Sequence, residues 1–130
     1  MTKKKFDYEE IDVGFYDHIY QKKEGVRSAW HHIKFNFVRE KIDNQNHHLD
    51  IGCGSGTFLS ILNNKFSAGI DISKKQINYA AKVYKGKAIY MTVNEFNFND
   101  YHNKFDTITC LGLFEFISNE EGIELLNNFY

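Results

Sequence analysis

Leu49-Asp50-Ile51-Gly52-Cys53-Gly54-Ser55-Gly56-Thr57-Phe58-Leu59 gathers three of the chain's nine glycines within five residues. A short apolar run, His48 to Ile51, stops at Gly52. Phe58, Ile61 and Leu62 then recur at helical steps between Thr57 and Asn64. The pattern is a buried strand turning sharply into a helix. Glycine at such a turn admits positive φ and lets a ligand approach the main chain closely. At the carboxyl end of the first strand of an open α/β sheet, a nucleotide-like ligand sits at this turn.

Fifteen residues past Gly56, Asp71 lies near the end of a second strand read over Ser67 to Ile72. Adjacent strands are about 4.8 Å apart, so Asp71 overhangs the same crevice. An ionised carboxylate accepts on two oxygens, which suits a pair of ribose hydroxyls. The glycine order is G-x-G-x-G rather than G-x-G-x-x-G, and no Gly-Lys-Ser/Thr follows it. The site is therefore expected to favour a ribose over a phosphate, against a nicotinamide-dependent oxidoreductase.

Outward from this core, Ser73-Lys74-Lys75-Gln76 reads as a capping box opening a helix with Ile77, Ala80, Ala81 and Tyr84 on one face. Lys87 to Val93 reads as a third strand and Phe105 to Leu111 as a fourth. Ser118-Asn119-Glu120-Glu121 is a second capping box, before a helix carrying Ile123, Leu126 and Phe129. Upstream, Val26, Ala29, Trp30, Ile33, Phe37, Val38 and Ile42 form one apolar helical stripe. A weaker helix is expected around Asp7 to Gln21. The prediction is an α/β fold, a parallel sheet of about four strands with helices on both faces. It comprises a single domain over 1–130, with a helical cap (1–46) and a cofactor-binding α/β part (47–130). The fourth strand reads as internal with nothing after it to pair with, so the chain is expected to be the front of a larger domain.

With 130 residues and 42% hydrophobic content, the chain suffices for one core. Sixteen cations balance seventeen carboxylates, a net charge of −1, so no footprint for nucleic acid or an anionic membrane is expected. Lys3 to Lys5 read as a solvated tail. Cys53 and Cys110 read as small buried residues of a reducing, cytoplasmic compartment rather than a disulfide. No apolar run is long enough to span a bilayer, and no signal peptide follows the lysines. The histidines and cysteines fit no metal-ligand spacing, so no metal is expected.

The stretch from His48 to Leu59 resembles motif I of the class I S-adenosylmethionine-dependent methyltransferases. Gly69-Ile70-Asp71-Ile72-Ser73 resembles their second motif, and the run from Phe105 to Phe116, with Glu115, their fourth-strand motif. The match runs in order from about residue 47 to 118. Phe15 to Tyr20 and Trp30-His31-His32 are similar to the family's helical cap. The resemblance implies a Rossmann-like sheet, truncated relative to the family's seven-stranded fold, with S-adenosylmethionine as cofactor and methyl transfer as activity. By position, Asp50, Gly52, Cys53, Gly54 and Gly56 would bind the methionine part and Asp71 the ribose hydroxyls. Ile72 would pack near the adenine, Asn94 or Glu95 would face its amino group, and Leu111, Gly112 and Leu113 would lie near the reacting methyl. Phe116 stands where the family often has His.

No proline is present. By the same resemblance, that excludes the Asn/Asp-Pro-Pro-aromatic motif of base-amine methyltransferases and the Pro-Cys nucleophile of cytosine C5 enzymes. The expected acceptor is a small molecule, sugar or lipid head group, with neither nucleic acid nor membrane as partner. His18, His31 and His32 are candidates for a general base, but no catalytic residue is assigned. The alternative is a truncated, non-catalytic S-adenosylmethionine-binding module. It could also be a subunit completed by an oligomer or partner chain at the fourth-strand edge.

Overall fold

Four parallel strands, β1 (His47–Ile51), β2 (Phe66–Asp71), β3 (Ile89–Thr92) and β4 (Thr107–Thr109), pair in the order β3-β2-β1-β4. The computed structural model describes residues 7–114 and 117–128. The Lys3 to Lys5 cluster, Glu115, Phe116 and Phe129 lie outside them. Helices α1 (Phe15–Lys22) and α2 (Gly25–Arg39) precede the sheet. Helices α3 (Thr57–Ser60), α4 (Lys74–Val83) and α5 (Asn119–Asn127) follow β1, β2 and β4. The expected α/β fold is the one adopted. In register, Asp50 lies between Gly69 of β2 and Thr109 of β4, and Asp71 lies beside Thr92.

The sheet has two unlike faces, because successive strand residues point to opposite sides. Leu49, Ile51, Ala68 and Ile70 line one face under Phe96, with Tyr101, Phe105 and Leu125 packed around them. The other face carries His48, Asp50, Ser67 and Gly69, all residues that are polar or small. Against it lie Phe58, Leu59, Leu62 and Ile77, joined by half-buried Phe35, Val38 and Ile42. The reading of continuous apolar strands thus holds for one face. On the other, buried polar groups bond to one another.

Several local expectations are corrected by longer-range contacts. Helix α3 is one turn rather than the run from Thr57 to Asn64. The Ser60 hydroxyl donates to the Thr57 carbonyl (2.6 Å), and the Asn64 amide donates to the carbonyls of Asp43 and Asn46, drawing the chain back to enter β2. The capping box at Ser73 does not form. Gln76 is fully buried; its Oε1 accepts from the Gly14 N–H and the Ser55 hydroxyl, and its Nε2 donates to the Asp12 carbonyl. The upstream helix is interrupted at Gly14, where φ is +73° and the Tyr79 ring occupies the place of a Cβ.

Of the upstream apolar stripe, only Val38 and Ile42 face the core. Val26, Trp30, Ile33 and Phe37 are exposed, while Ser28, Phe35 and Val38 turn inward and His32 stacks on Tyr20 at 3.8 Å. In α5 the Ser118 hydroxyl caps the Glu121 N–H as expected, yet Ile123 and Leu126 are exposed and Gly122 is the buried residue. Both helices carry apolar residues on two faces, and the shape of the opposing surface selects between them.

Two glycines give contrasting tests of packing. A Cβ on Gly69 would lie 2.6 Å from Leu59 Cδ1 and 2.8 Å from Cys53 Sγ. Gly69→Ala is expected to lower the unfolding free energy in urea by about 1–3 kcal/mol. On helical Gly122 the nearest atom would be 3.5 Å away. Gly122→Ala is therefore expected to raise stability by about 0.5–1 kcal/mol.

Candidate functional site

The glycine loop is built by backbone bonds to β2. The Gly52 and Cys53 N–H groups both donate to the Ile70 carbonyl, at 2.8 and 3.0 Å. Positive φ at Gly52 (+74°) and Gly54 (+52°) then turns the Gly54 N–H onto Asp71 Oδ2 at 2.9 Å. Asp71 Oδ1 accepts from the Ser73 N–H at 2.9 Å, and the Tyr8 hydroxyl reaches Oδ2 at 3.5 Å. One carboxylate thus splints the loop to the start of α4.

Beside the loop is a cavity of about 140 Å³. Asp50, Gly52, Cys53 and Gly54 line one side, Tyr8, Tyr16, His31 and Lys34 the cap side, and Leu111 and Gly112 the end beyond β4. Six of the residues expected to bind the cofactor therefore meet here: Asp50, Gly52, Cys53, Gly54, Leu111 and Gly112. Asp71 adjoins through Gly54. Gly56 faces α4 instead, where a Cβ would lie 2.8 Å from Ala80 Cβ. Ile72 is exposed next to the crevice. Asn94 and Glu95 are exposed beyond β3 and do not line the cavity; Glu95 accepts from the Thr92 N–H at 3.0 Å. A more open hollow of about 580 Å³ shares Tyr16 and His31 and reaches Arg27.

Of the three candidate histidines, only His31 lines the cavity. His32 bonds the Tyr20 carbonyl at 2.9 Å and His18 packs edge-on against Tyr79. The sequence reading missed Tyr8, Tyr16 and Lys34, which reach the site only through tertiary folding. It also missed Thr109, whose hydroxyl donates to Asp50 Oδ1 at 2.7 Å. Thr109 is one of two threonines in the three-residue β4, and only its burial and its pairing with Asp50 set it apart from Thr107.

Burial dominates the electrostatics. It pushes the Asp50 carboxyl up to about 7; the Thr109 hydrogen bond opposes this, Asp71 adds to it, and Lys34 opposes it. Asp71 is also raised by burial, against the Ser73 and Gly54 N–H groups. His31 is held below its ordinary range by burial, then by Lys34 and His32, so its imidazole is neutral near pH 7. Two carboxylates short of counter-charge, beside open backbone, suit a ligand that is cationic at one end and carries hydroxyls.

Linkage makes this measurable. Between the ordinary carboxylate value of 3.8 and about 7, folded Asp50 holds a proton that the unfolded chain has released. Its contribution to stability is full below that window and lost as pH rises through it. His48, lowered to about 4 by burial, acts with the opposite sign in both proteins and cancels in a comparison. Urea midpoints are expected to show Asp50→Asn gaining on the wild type as pH rises from about 4 to about 7 and holding steady above.

Residues 49–130 match a family model described as a methyltransferase domain. Two curated relatives are tRNA U34 carboxymethyltransferases. That of Sulfurimonas denitrificans is 30% identical over 96 residues, covering 68% of this chain and 32% of the relative. That of Campylobacter hominis is 32% identical over 96 residues, covering 68% and 34%. The chain spans about a third of the length of these relatives. Among solved structures, magnesium protoporphyrin IX methyltransferase from Synechocystis PCC 6803 with bound SAH aligns with a TM-score of 0.65 at 20% identity, over 88% of this chain and 59% of that one. A TehB-like SAM-dependent methyltransferase from Corynebacterium glutamicum aligns at 0.56 and 18% identity, over 86% and 65%. Both share the fold.

The curated relatives overturn the expectation of a small-molecule acceptor without nucleic acid. That expectation rested on the missing proline motifs of two base-modifying classes and on net charge, which averages over the chain and hides six cations against two carboxylates between Lys22 and Lys41. Among the described residues, no helix is long and apolar enough to cross a membrane. The chain belongs to the class I methyltransferase family, whose cofactor is S-adenosylmethionine.

Proposed function

We propose that the crevice binds S-adenosylmethionine and that the chain takes part, in the cytoplasm, in alkyl transfer to a tRNA. The observation that carries the cofactor site is buried Asp50 beside the Gly52–Gly54 loop, with Asp71 bonded to that loop. The tRNA acceptor is supported by the two curated relatives. Cap (1–46) and α/β part (47–130) act as one binding unit, since cap residues form a wall of the crevice.

The bound cofactor supplies an alkyl group already activated on a sulfonium. The chain's own residues bind, orient and exclude water. Asp50 accepts from the ammonium of the amino-acid end. Asp71 receives the ribose hydroxyls once the Tyr8 hydroxyl swings off Oδ2. Phe35, Phe58 and Tyr16 keep the transfer point dry. His31, on the seam between the two hollows, takes the acceptor's proton on its neutral imidazole, and the open hollow by Arg27 admits the acceptor. Exposed Trp30 and Phe37, among the cations of α2, suit unpaired bases.

Calorimetric titration with S-adenosylmethionine and S-adenosylhomocysteine tests the first half. Asp71→Ala is expected to weaken binding by about 2–4 kcal/mol; unchanged affinity removes Asp71 from the site. Incubating the chain with tRNA and cofactor, then weighing the nucleosides by mass spectrometry, tests the second half. A nucleoside gaining one methyl group is expected, and a slower rate with unchanged cofactor affinity in His31→Ala. Unmodified tRNA alongside tight cofactor binding would overturn the acceptor while leaving the cofactor site in place.

A further inference from the structure

Directly beneath the crevice lies a chain of polar side chains that the reading above leaves without a role. His48 Nε2 is 2.7 Å from Thr109 Oγ1, and Thr109 Oγ1 is 2.7 Å from Asp50 Oδ1. Their relative exposures are 0%, 8% and 3%, so no solvent competes for these bonds. His48 and Asp50 project from the same face of β1, and Thr109 is the register partner of Asp50 on β4.

Counting protons fixes the direction of the chain. A threonine hydroxyl has a single hydrogen, and an ionised carboxylate has none to give. With Asp50 ionised, the hydroxyl therefore donates to it and offers His48 a lone pair, so Nε2 must carry the imidazole's hydrogen. That tautomer leaves Nδ1 bare, and among the described residues His48 Nδ1 is a buried side-chain atom with no hydrogen-bond partner. Burial holds this imidazole neutral, at about 4, so it has one N–H to spend.

We propose that His48 and Thr109 are positioning residues that aim the Asp50 carboxylate at the cationic amino-acid end of the cofactor. The proposal rests on the assignment of this crevice to S-adenosylmethionine. His48 locks the Thr109 hydroxyl rotor away from itself, and the hydroxyl holds Asp50 as an acceptor facing the cavity. The other groups around Asp50 are Asp71 from β2, which opposes its ionisation, Lys34 from α2, which favours it, and Cys53 of the loop. None of them replaces the hydrogen bond from Thr109. Without it, Asp50 takes up its proton at a higher pH and meets the ligand's ammonium as a neutral acid.

The test is the affinity for S-adenosylhomocysteine, which keeps the ammonium, measured by calorimetry between about pH 5.5 and 8.5. The wild type is expected to bind more tightly as pH rises through about 7 and then to level off. Thr109→Val should weaken binding roughly tenfold at pH 7, with its pH midpoint moved upward and its affinity recovering at the alkaline end. Thr109→Ser should keep the wild-type profile. A merely structural Thr109 would lower stability in Thr109→Val without moving the midpoint, which would overturn the proposal, as would a wild-type profile in Thr109→Val. Nitrogen NMR of the unsubstituted protein gives a second reading should the valine variant fail to fold. A His48 protonated on Nδ1, or titrating at the ordinary histidine value, overturns the relay. A well-folded wild type that binds neither cofactor nor product at any pH overturns the site assignment and the proposal together.

Discussion

Two carboxylates buried at the carboxyl ends of neighbouring strands set the terms for the rest of this structure. An ionised carboxylate taken out of water costs several kcal/mol unless donors replace its hydration. Here the donors come from four separate places: the Thr109 hydroxyl on β4, the Gly54 N–H in the loop, the Ser73 N–H at the head of α4, and Tyr8 from the cap. Each can reach its carboxylate only if its own element is correctly seated, so satisfying Asp50 and Asp71 aligns the loop, α4, β4 and the amino-terminal turn at once. The compensation is incomplete. What remains is the raised proton affinity of both groups, an electrostatic deficit that a cation in the crevice would remove.

The cap is fastened in the same manner. Asp17, 2% exposed, accepts from the hydroxyls of Thr57 (2.8 Å), Tyr79 (2.6 Å) and Tyr84 (2.5 Å). Gln76 ties Asp12 and Gly14 of the cap to Ser55 of the loop. Apolar contact is non-directional and tolerates sliding, whereas these bonds fix the rotation of α1 over α3 and α4. That rotation brings Tyr16 to the wall of the cavity, and His32, bonded to Tyr20, sets the rotation of α2 that brings His31 there. The polar face of the sheet and the polar underside of the cap therefore form one joint, with the crevice at its edge.

What was legible in the sequence is what short-range pattern encodes. A strand stopped by glycine, a helix, and an aspartate at the end of the next strand are local features, and their order specified the parallel sheet and the loop correctly. Ser73-Lys74-Lys75-Gln76 shows the limit. Local propensity favours a capping box, but Gln76 has partners 62 and 64 residues away whose burial outweighs it. The same holds for α2, where Phe35, outside the apolar stripe, wins over Trp30 and Phe37 because Phe58 presents a matching surface to it at 5.2 Å. Thr109 escaped notice because its importance lies in the β1–β4 register. The acceptor expectation failed because missing proline motifs exclude only two base-modifying classes, and net charge carries no information about where charge is placed.

Placement of charge also explains why one cap lysine matters on both sides of the crevice. Lys34 favours the ionised form of Asp50 and disfavours the protonated form of His31. Both influences follow from a single ammonium held within a low-dielectric wall, where charge interactions exceed their strength in water. On the carboxylate side it supplies part of the counter-charge that burial withholds, leaving room for a cationic ligand to supply the rest. On the histidine side it adds to burial, the larger influence, in keeping the imidazole unprotonated at neutral pH, the form that accepts a proton. Once the cap is seated by Asp17 and Gln76, its position acts alongside burial on the protonation of groups on either side of the point where transfer would occur. Binding and proton handling in this fold therefore depend on the same joint.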